Sequence, residues 1–213
     1  MKYNTFIFDM DGVIIDSEPF WRHAQIDILS KYEVTISIED CIHYTMGKRI
    51  DDVALIWCQL HSLKVDPKEL EQEIINAVAK LIAEKGKAKT GLYELLDFLK
   101  ENKYHIALAT SSSLPIIKAV FKRLLIAQYF EVVCSADDEI YGKPHPAVYL
   151  KAATKLKVLP SHCIVLEDSV TGLIAAKAAA MKTFVIPEDP SDPRFRIAHA
   201  IFTSMFEVIQ ILK

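Results

Sequence analysis

Five short apolar runs, each stopping abruptly at polar residues, constrain this chain more than any other feature. Thr5-Phe6-Ile7-Phe8 stops at Asp9, and Ile106-Ala107-Leu108-Ala109 stops at Thr110. Val132-Val133-Cys134 stops near Asp137 and Asp138, Cys163-Ile164-Val165-Leu166 at Glu167, and Thr183-Phe184-Val185-Ile186 at Pro187. Runs of this length, partly β-branched and without polar alternation, fit strands buried on both faces of a parallel sheet. Between them, apolar residues recur at helical spacing. Leu92, Leu95, Leu96 and Leu99 precede the second run, and Ile116, Ile117, Val120, Phe121 and Leu124 follow it. Ala147 to Leu156 and Val170 to Ala180 bracket the fourth. Strands alternating with helices imply right-handed crossovers and an α/β, doubly wound parallel sheet. Ligands of such sheets bind outside the carboxyl ends of the strands, where the polar stops sit.

One stretch breaks the alternation. From Asp16 to about residue 80 the sequence reads as helix after helix, over Pro19 to Tyr32, Ile50 to Leu60 and Pro67 to Glu84. Pro19 and Pro67 fit first-turn positions, and Asp66 fits an N-cap. The expected organisation is a core domain of residues 1–15 and 81–213, with a helical cap domain of residues 16–80 inserted after the first strand. Asp16-Ser17-Glu18 and Lys85-Gly86-Lys87 would be its hinges, and a lid over the strand ends its use.

Composition excludes several classes. The 213 residues are 51% hydrophobic, ample for a large core, and the formal net charge is −3. No basic face therefore points to nucleic acid or an anionic membrane as the main partner. No segment approaches the roughly 20 apolar residues of a membrane span. The apolar run after Met1 is too short for a signal peptide. Cys41, Cys58, Cys134 and Cys163 show no CxxC spacing, so the expectation is free buried thiols and a cytoplasmic protein.

The candidate chemistry lies at the strand ends. Asp9 and Asp11 are two apart after a strand, so their carboxylates face one spot. Gly12 beside them permits a sharp exit or a close approach of backbone to ligand. Two anions this close call for a cation, and oxygen ligands without His or Cys favour Mg²⁺. Glu167 and Asp168 end another strand and supply further metal ligands or their support. Thr110 and Ser111, opening a helix, make an anion cradle of hydroxyl and backbone N–H. Lys143 sits in Tyr141-Gly142-Lys143-Pro144-His145-Pro146, a stiff loop suited to fixing one ammonium. Singly, each has an ordinary reading, as a strand cap, an N-cap or a solvated lysine. Together they suit phosphoryl transfer, where catalysis is mostly positioning and charge stabilisation.

These residues carry a resemblance to the haloacid dehalogenase superfamily over essentially the full length. Its motifs appear in order as Asp9-Met10-Asp11-Gly12, Thr110 closing a strand, Lys143 before Pro144, and Glu167-Asp168-Ser169. The Gly-Lys-Pro-His-Pro and Leu-Glu-Asp-Ser segments resemble the sugar-phosphate phosphatases and β-phosphoglucomutase-like members. The resemblance implies a Rossmann-like core and roles for the residues. Asp9 would be the nucleophile, forming an aspartyl-phosphate. Asp11 would be general acid and then base, its backbone carbonyl binding Mg²⁺ with Asp9 and Asp168, and Glu167 assisting from the edge. Thr110, the Ser111 amide and Lys143 would hold the phosphoryl group. The implied partner is a small phosphorylated substrate, and the implied state a monomer.

The resemblance also discriminates. Dehalogenases lack a second acid in the first motif, because a halide leaves without a proton; Asp11 is present here. Similar mutases carry a His early in the first cap helix, where this chain has Trp21, with His23 two residues off. Hydrolysis of a small phosphomonoester is therefore expected, with a β-phosphoglucomutase-like phosphomutase as the alternative and a catalytically silent binding protein as a third reading. Asp16 to Trp21 and Gly47 to Asp51 resemble hexitol and 2-deoxyglucose 6-phosphatases. On that resemblance Arg49, and less so Lys48, would reach the substrate. Glu18 reads equally as a sugar-hydroxyl contact or as an acid favoured by the helix dipole. Trp57, spaced with Val53 and Leu60, reads as cap core. Lys89-Thr90-Gly91 lacks a proline that relatives often carry before the glycine.

Overall fold

The computed structural model describes residues 3–213, so the first two residues of the expected core domain lie outside it. The five apolar runs form parallel strands β1 (Thr5–Phe8), β2 (His105–Thr110), β3 (Val132–Ser135), β4 (Cys163–Glu167) and β5 (Lys182–Val185). A two-residue edge strand, β6 (Ala200–Ile201), completes the order β3-β2-β1-β4-β5-β6. The fold is thus an α/β doubly wound parallel sheet. Phe8 of β1 lies level with Leu108 of β2 on one side and Leu166 of β4 on the other. The chain winds away from β1 in both directions, which opens a crevice at the carboxyl ends of β1 and β4.

Helices α1 (Glu18–Ser30), α2 (Ile38–Tyr44), α3 (Ile50–Leu60) and α4 (Pro67–Lys85) follow β1. After them come α5 (Leu92–Glu101), α6 (Leu114–Leu124), α7 (Ala147–Leu156), α8 (Val170–Ala178) and α9 (Met205–Leu212). The chain divides into two compact units. An α/β unit holds the residues up to Asp16, Lys87–Ser112 and Leu124–Lys213; a helical unit holds Ser17–Gly86 and Ser113–Arg123.

In the α/β unit, α7 packs on β2 and β3, and α8 on β4 and β5. Small residues set that spacing. Ala107 and Ala109 of β2 meet a core shared with Val148, Tyr149, Ala152 and Ala153 of α7 and Ala175 and Ala176 of α8, all buried. Each large apolar side chain sealed in this way contributes about 1.5–3 kcal/mol relative to exposure.

In the helical unit, α1 packs on α4 and α2, and α3 packs on α4. Asp66 caps α4 through the Lys68 N–H at 2.8 Å, as its position before Pro67 suggests. Apolar spacing continues through Val78 and Ile82, both buried, so α4 runs past residue 80 to Lys85, with Gly86 as its C-cap. Helix α2 was not expected. Its sequence signal is the capping box of Ser37 and Asp40, in which Ser37 Oγ accepts from the Asp40 N–H at 3.1 Å. Trp57 is fully buried, in keeping with a core role, whereas Leu60 is 49% exposed. No helix among the described residues is long and apolar enough to cross a membrane.

Candidate active site

Asp9 is the first residue beyond β1, and its N–H still donates to Leu166 O of β4 at 3.0 Å. That bond fixes its carboxylate in the crevice, where the residue is 6% exposed. Lys143 Nζ donates to Asp9 Oδ1 and to Glu167 Oε1, each at 2.7 Å. The Lys143 side chain is 5% exposed, so this is a buried, paired ammonium rather than a solvated one. Its stem crosses from the Gly-Lys-Pro-His-Pro loop before α7 to the ends of β1 and β4.

Glu167 is fully buried and its carboxylate is crowded with donors. Oε1 accepts from Lys143 Nζ and from Tyr149 Oη at 2.6 Å. Oε2 accepts from the Asp168 N–H, the Ser169 N–H and Ser169 Oγ, each at 3.0 Å. Ser169, and neither preceding acid, is the N-cap of α8, accepting from the Gly172 N–H at 3.0 Å.

Asp11 is held separately. Ser112 Oγ donates to its Oδ2 at 2.6 Å, and Thr110 Oγ1 lies 3.4 Å from the same oxygen. The Ser112 N–H donates to Thr110 Oγ1 at 3.0 Å, and Ser135 Oγ donates to Ser112 O at 2.8 Å. The end of β2 is thereby shaped into a turn that presents hydroxyls to Asp11. Ser111, in that turn, is exposed.

Two glycines make room for the acids. Gly12 has φ +77°, and a Cβ there would overlap the Asp168 carboxylate. Gly172 lies in the first turn of α8, and a Cβ there would overlap the Glu167 carboxylate. The close approach at Gly12 is thus made by a side chain of this protein.

The electrostatics follow from this packing. Burial pushes the Asp9 carboxyl up to about 7, against the pull of Lys143 and with repulsion from Glu167 and Asp11 added. Burial, then repulsion from Glu167 and Asp9, pushes Asp168 to about 9. Burial alone would raise Glu167 as well. The Lys143 charge, with hydrogen bonds from Lys143, Tyr149 and Ser169, holds it below the usual carboxylate range. Burial would lower Lys143, but Asp9 and Glu167 together outweigh it and keep the ammonium charged.

Asp9, Glu167 and Asp168 each offer an oxygen within 4.8 Å of the others. Three carboxylates face one ammonium, so the fully ionised cluster carries excess negative charge. All-oxygen donors with such an excess suit a hard divalent cation, Mg²⁺ in particular.

Of the residues singled out in the sequence, Asp9, Asp11, Thr110, Ser111, Lys143, Glu167 and Asp168 all belong to the α/β unit, at the carboxyl ends of β1, β2 and β4 or in the loop before α7. Glu18 and Arg49 belong to the helical unit. Glu18 opens α1, 3.8 Å from Arg22, and Arg49 precedes α3 with Nε 3.2 Å from Asp51 Oδ1. Ser112, Tyr149 and Gly172 have parts in the site that their sequence context does not assign, and Ser169, read in the sequence only within the Glu167-Asp168-Ser169 motif, gains the role of cap and Glu167 donor. A glycine in the first turn of α8 was the one local signal, since helix propensity gives no reason for it.

A haloacid dehalogenase-like hydrolase family profile matches residues 3–180. Hexitol phosphatase B of Escherichia coli (strain K12) is 37% identical over 205 residues, covering 95% of this chain and 92% of that protein. A fructose-1-phosphate phosphatase of the same strain is 31% identical over 182 residues, covering 84% of this chain and 94% of its own. The crystal structure of a β-phosphoglucomutase from Clostridium difficile superposes with a TM-score of 0.80 at 25% identity, covering 98% of this chain and 96% of that one. The acid and lysine cluster lies within the matched span, at the crevice where a doubly wound sheet binds its ligand, and the chain belongs to the haloacid dehalogenase-like hydrolase family.

Proposed function

We propose that the protein is a Mg²⁺-dependent phosphatase that hydrolyses phosphate monoesters of sugars or sugar alcohols through an aspartyl-phosphate on Asp9. The observation that carries this reading is the division of labour between the first-motif acids. Asp9 Oδ1 is ion-paired to Lys143 at 2.7 Å, while Asp11 is bonded to Ser112 Oγ at 2.6 Å. One acid is kept beside a fixed positive charge and is suited to attack phosphorus. The other is kept on hydroxyls and is suited to carry a proton.

In the first step an Asp9 oxygen bonds to phosphorus and the ester P–O bond breaks. The leaving alkoxide takes the proton of the Asp11 carboxylic acid. In the second step Asp11, now a carboxylate, accepts a proton from water. The water oxygen attacks phosphorus, the Asp9–phosphorus bond breaks, and phosphate leaves. Lys143 neutralises charge on the phosphoryl oxygens in both steps. Thr110 and the Ser111 amide are assigned to the phosphoryl group on the family resemblance, and Ser112 Oγ, at 2.6 Å, orients Asp11. Asp9 and Asp168, with the Asp11 carbonyl, would hold Mg²⁺, which supplies charge stabilisation at the phosphoryl group when bound. Glu167, with both oxygens already taken by donors, serves best by fixing Lys143 and supporting the metal from outside.

The hexitol and fructose-1-phosphate phosphatases favour a phosphorylated polyol or sugar as substrate class. Glu18 and Arg49 of the helical unit are assigned to the sugar end of the substrate on the family resemblance. The four cysteines, all buried and unpaired, fit the reducing cytoplasm to which we assign the protein.

The test is a screen of hexitol and hexose phosphates with and without Mg²⁺, read as free phosphate. Asp11→Asn, treated with p-nitrophenyl phosphate, whose leaving group departs without a proton, and quenched, is expected to retain one phosphoryl group on Asp9 by mass spectrometry. An isomerised sugar phosphate in place of free phosphate, or full turnover by Asp9→Asn, would overturn the reading.

A further inference from the structure

We infer that Tyr149 is a positioning residue for the reaction: its hydroxyl sets how Lys143 is shared between Asp9 and Glu167. The inference rests on the phosphatase reading and deepens it. Tyr149 lies in the first turn of α7, six residues beyond Lys143, and is fully buried in the core of the α/β unit. A phenylalanine would satisfy that packing. A buried phenol hydroxyl instead requires a partner, because an unmade bond costs it the full desolvation penalty.

The partner is Glu167 Oε1 at 2.6 Å, the same oxygen that accepts Lys143 Nζ at 2.7 Å. Tyr149 also presents its ring to the ammonium, with Nζ 4.8 Å from the ring centroid. Lys143 is therefore fixed on three sides, by Asp9 Oδ1, Glu167 Oε1 and the Tyr149 ring. A lysine on a flexible stem gains a defined position only from such contacts.

The hydroxyl does more than fill space. By donating to Oε1 it meets part of that oxygen's demand, so Glu167 draws on Lys143 less strongly. The ammonium then sits at equal distance, 2.7 Å, from Glu167 and from Asp9. Without the hydroxyl, Oε1 has Lys143 as its one side-chain donor among these contacts. The ammonium shifts toward Glu167 and away from the phosphoryl group forming on Asp9. The expected loss is in the transition state, where Lys143 meets developing charge, and not in ground-state binding.

Tyr149→Phe keeps the ring and removes the hydroxyl. The expected result is a fall in kcat of about tenfold with KM within about twofold, the scale of one lost bond to a charged group. The Tyr149→Phe, Glu167→Gln double variant is expected to lose little beyond Glu167→Gln alone, because the hydroxyl acts through that carboxylate. An unchanged kcat in Tyr149→Phe, additive losses in the double variant, or a Tyr149→Phe that no longer folds would each overturn the positioning role. A wild type without Mg²⁺-dependent phosphate release overturns the phosphatase reading itself. An active wild type with an unaffected Tyr149→Phe overturns this inference alone.

Discussion

In the helical unit a buried network centred on Gln25 is neutral and closed on itself. Gln25 Oε1 accepts from Trp57 Nε1 at 2.8 Å and from Thr45 Oγ1 at 2.9 Å, and Gln25 Nε2 donates to Trp21 O at 3.2 Å. One amide thus ties α1, α2 and α3 together. In the α/β unit the network at the strand ends is charged, and its count does not balance: Asp9, Glu167 and Asp168 against Lys143. A neutral network whose bonds are all made stabilises a fold and has no further reactivity. An unbalanced charged one leaves acids whose proton affinity is far from ordinary, as at catalytic sites. Stability and chemistry therefore reside in separate networks, and substitutions can part them.

The largest separation is expected at Asp9. Asp9→Asn removes the proposed nucleophile, and turnover should fall by about 10³-fold or more. The same substitution removes a carboxyl that burial makes costly to ionise, so the variant should melt at a higher temperature than the wild type at neutral pH. A calorimetric scan beside a phosphate-release assay reads both. Lower stability together with lost activity would mean that the charged cluster is also a stabilising element.

Gly172→Ala sharpens the point by reversing an ordinary rule. Alanine in a helix is normally favoured over glycine by about 1 kcal/mol. Here a Cβ would overlap the Glu167 carboxylate, so the substitution should destabilise by about 1–3 kcal/mol and lower kcat by displacing Glu167 and with it Lys143. Urea unfolding and steady-state kinetics would check it. An ordinary stabilisation would show that Glu167 has room to move.

The features legible in the sequence were those written locally. The strands could be read because both faces of β1, β2 and β4 are buried, leaving uninterrupted apolar runs that end at the acids. Edge strand β6 could not, since two residues carry no period. Helix α2 hid for a different reason: Ile38 and Ile42 are 51% and 43% exposed, so its apolar residues mark no buried face. The site divides in the same way. Asp9, Asp11, Lys143 and Asp168 announce themselves as charges at strand ends or in a stiff loop. Tyr149 reads as a core aromatic, because its hydroxyl meets Glu167, 18 residues on in the chain, only once α7 has packed on the sheet. Ser112 lies 101 residues from the Asp11 it holds and is indistinguishable locally from its serine neighbours.

On the neutral side, Gln25→Ala should act on stability alone. It leaves the Trp57 N–H without its acceptor inside the helical unit, a loss of about 2 kcal/mol in urea unfolding. Turnover per folded molecule should stay within about twofold, as expected of a site that shares no partner with the acids. A fall in kcat as large as that from a site variant would break the distinction between the two networks.

The smallest effect tests the source of the imbalance. Asp9 and Asp168 have carboxyls raised from 3.8 to about 7 and about 9. Between pH 4 and pH 9 or so, the metal-free folded protein therefore holds protons that the unfolded chain has released, and its stability should fall as pH rises. Glu167 acts in the opposite direction, since its lowered value favours the fold once pH exceeds the ordinary carboxylate range. That contribution is complete by about pH 5. Lys143, raised above its usual value, contributes throughout the window and adds no slope. The decline above about pH 5 should thus come from Asp9 and Asp168. A divalent cation that binds their ionised forms should reverse it. In EDTA the melting temperature should drop by a few degrees from about pH 6 to about pH 8, and Mg²⁺ should restore more at the higher pH. Asp168→Asn should flatten the EDTA curve, whereas Gln25→Ala should lower it in parallel. A flat curve for the wild type would mean that the acids keep ordinary proton affinities, and the contrast between the two buried networks would then be one of geometry without a difference in charge.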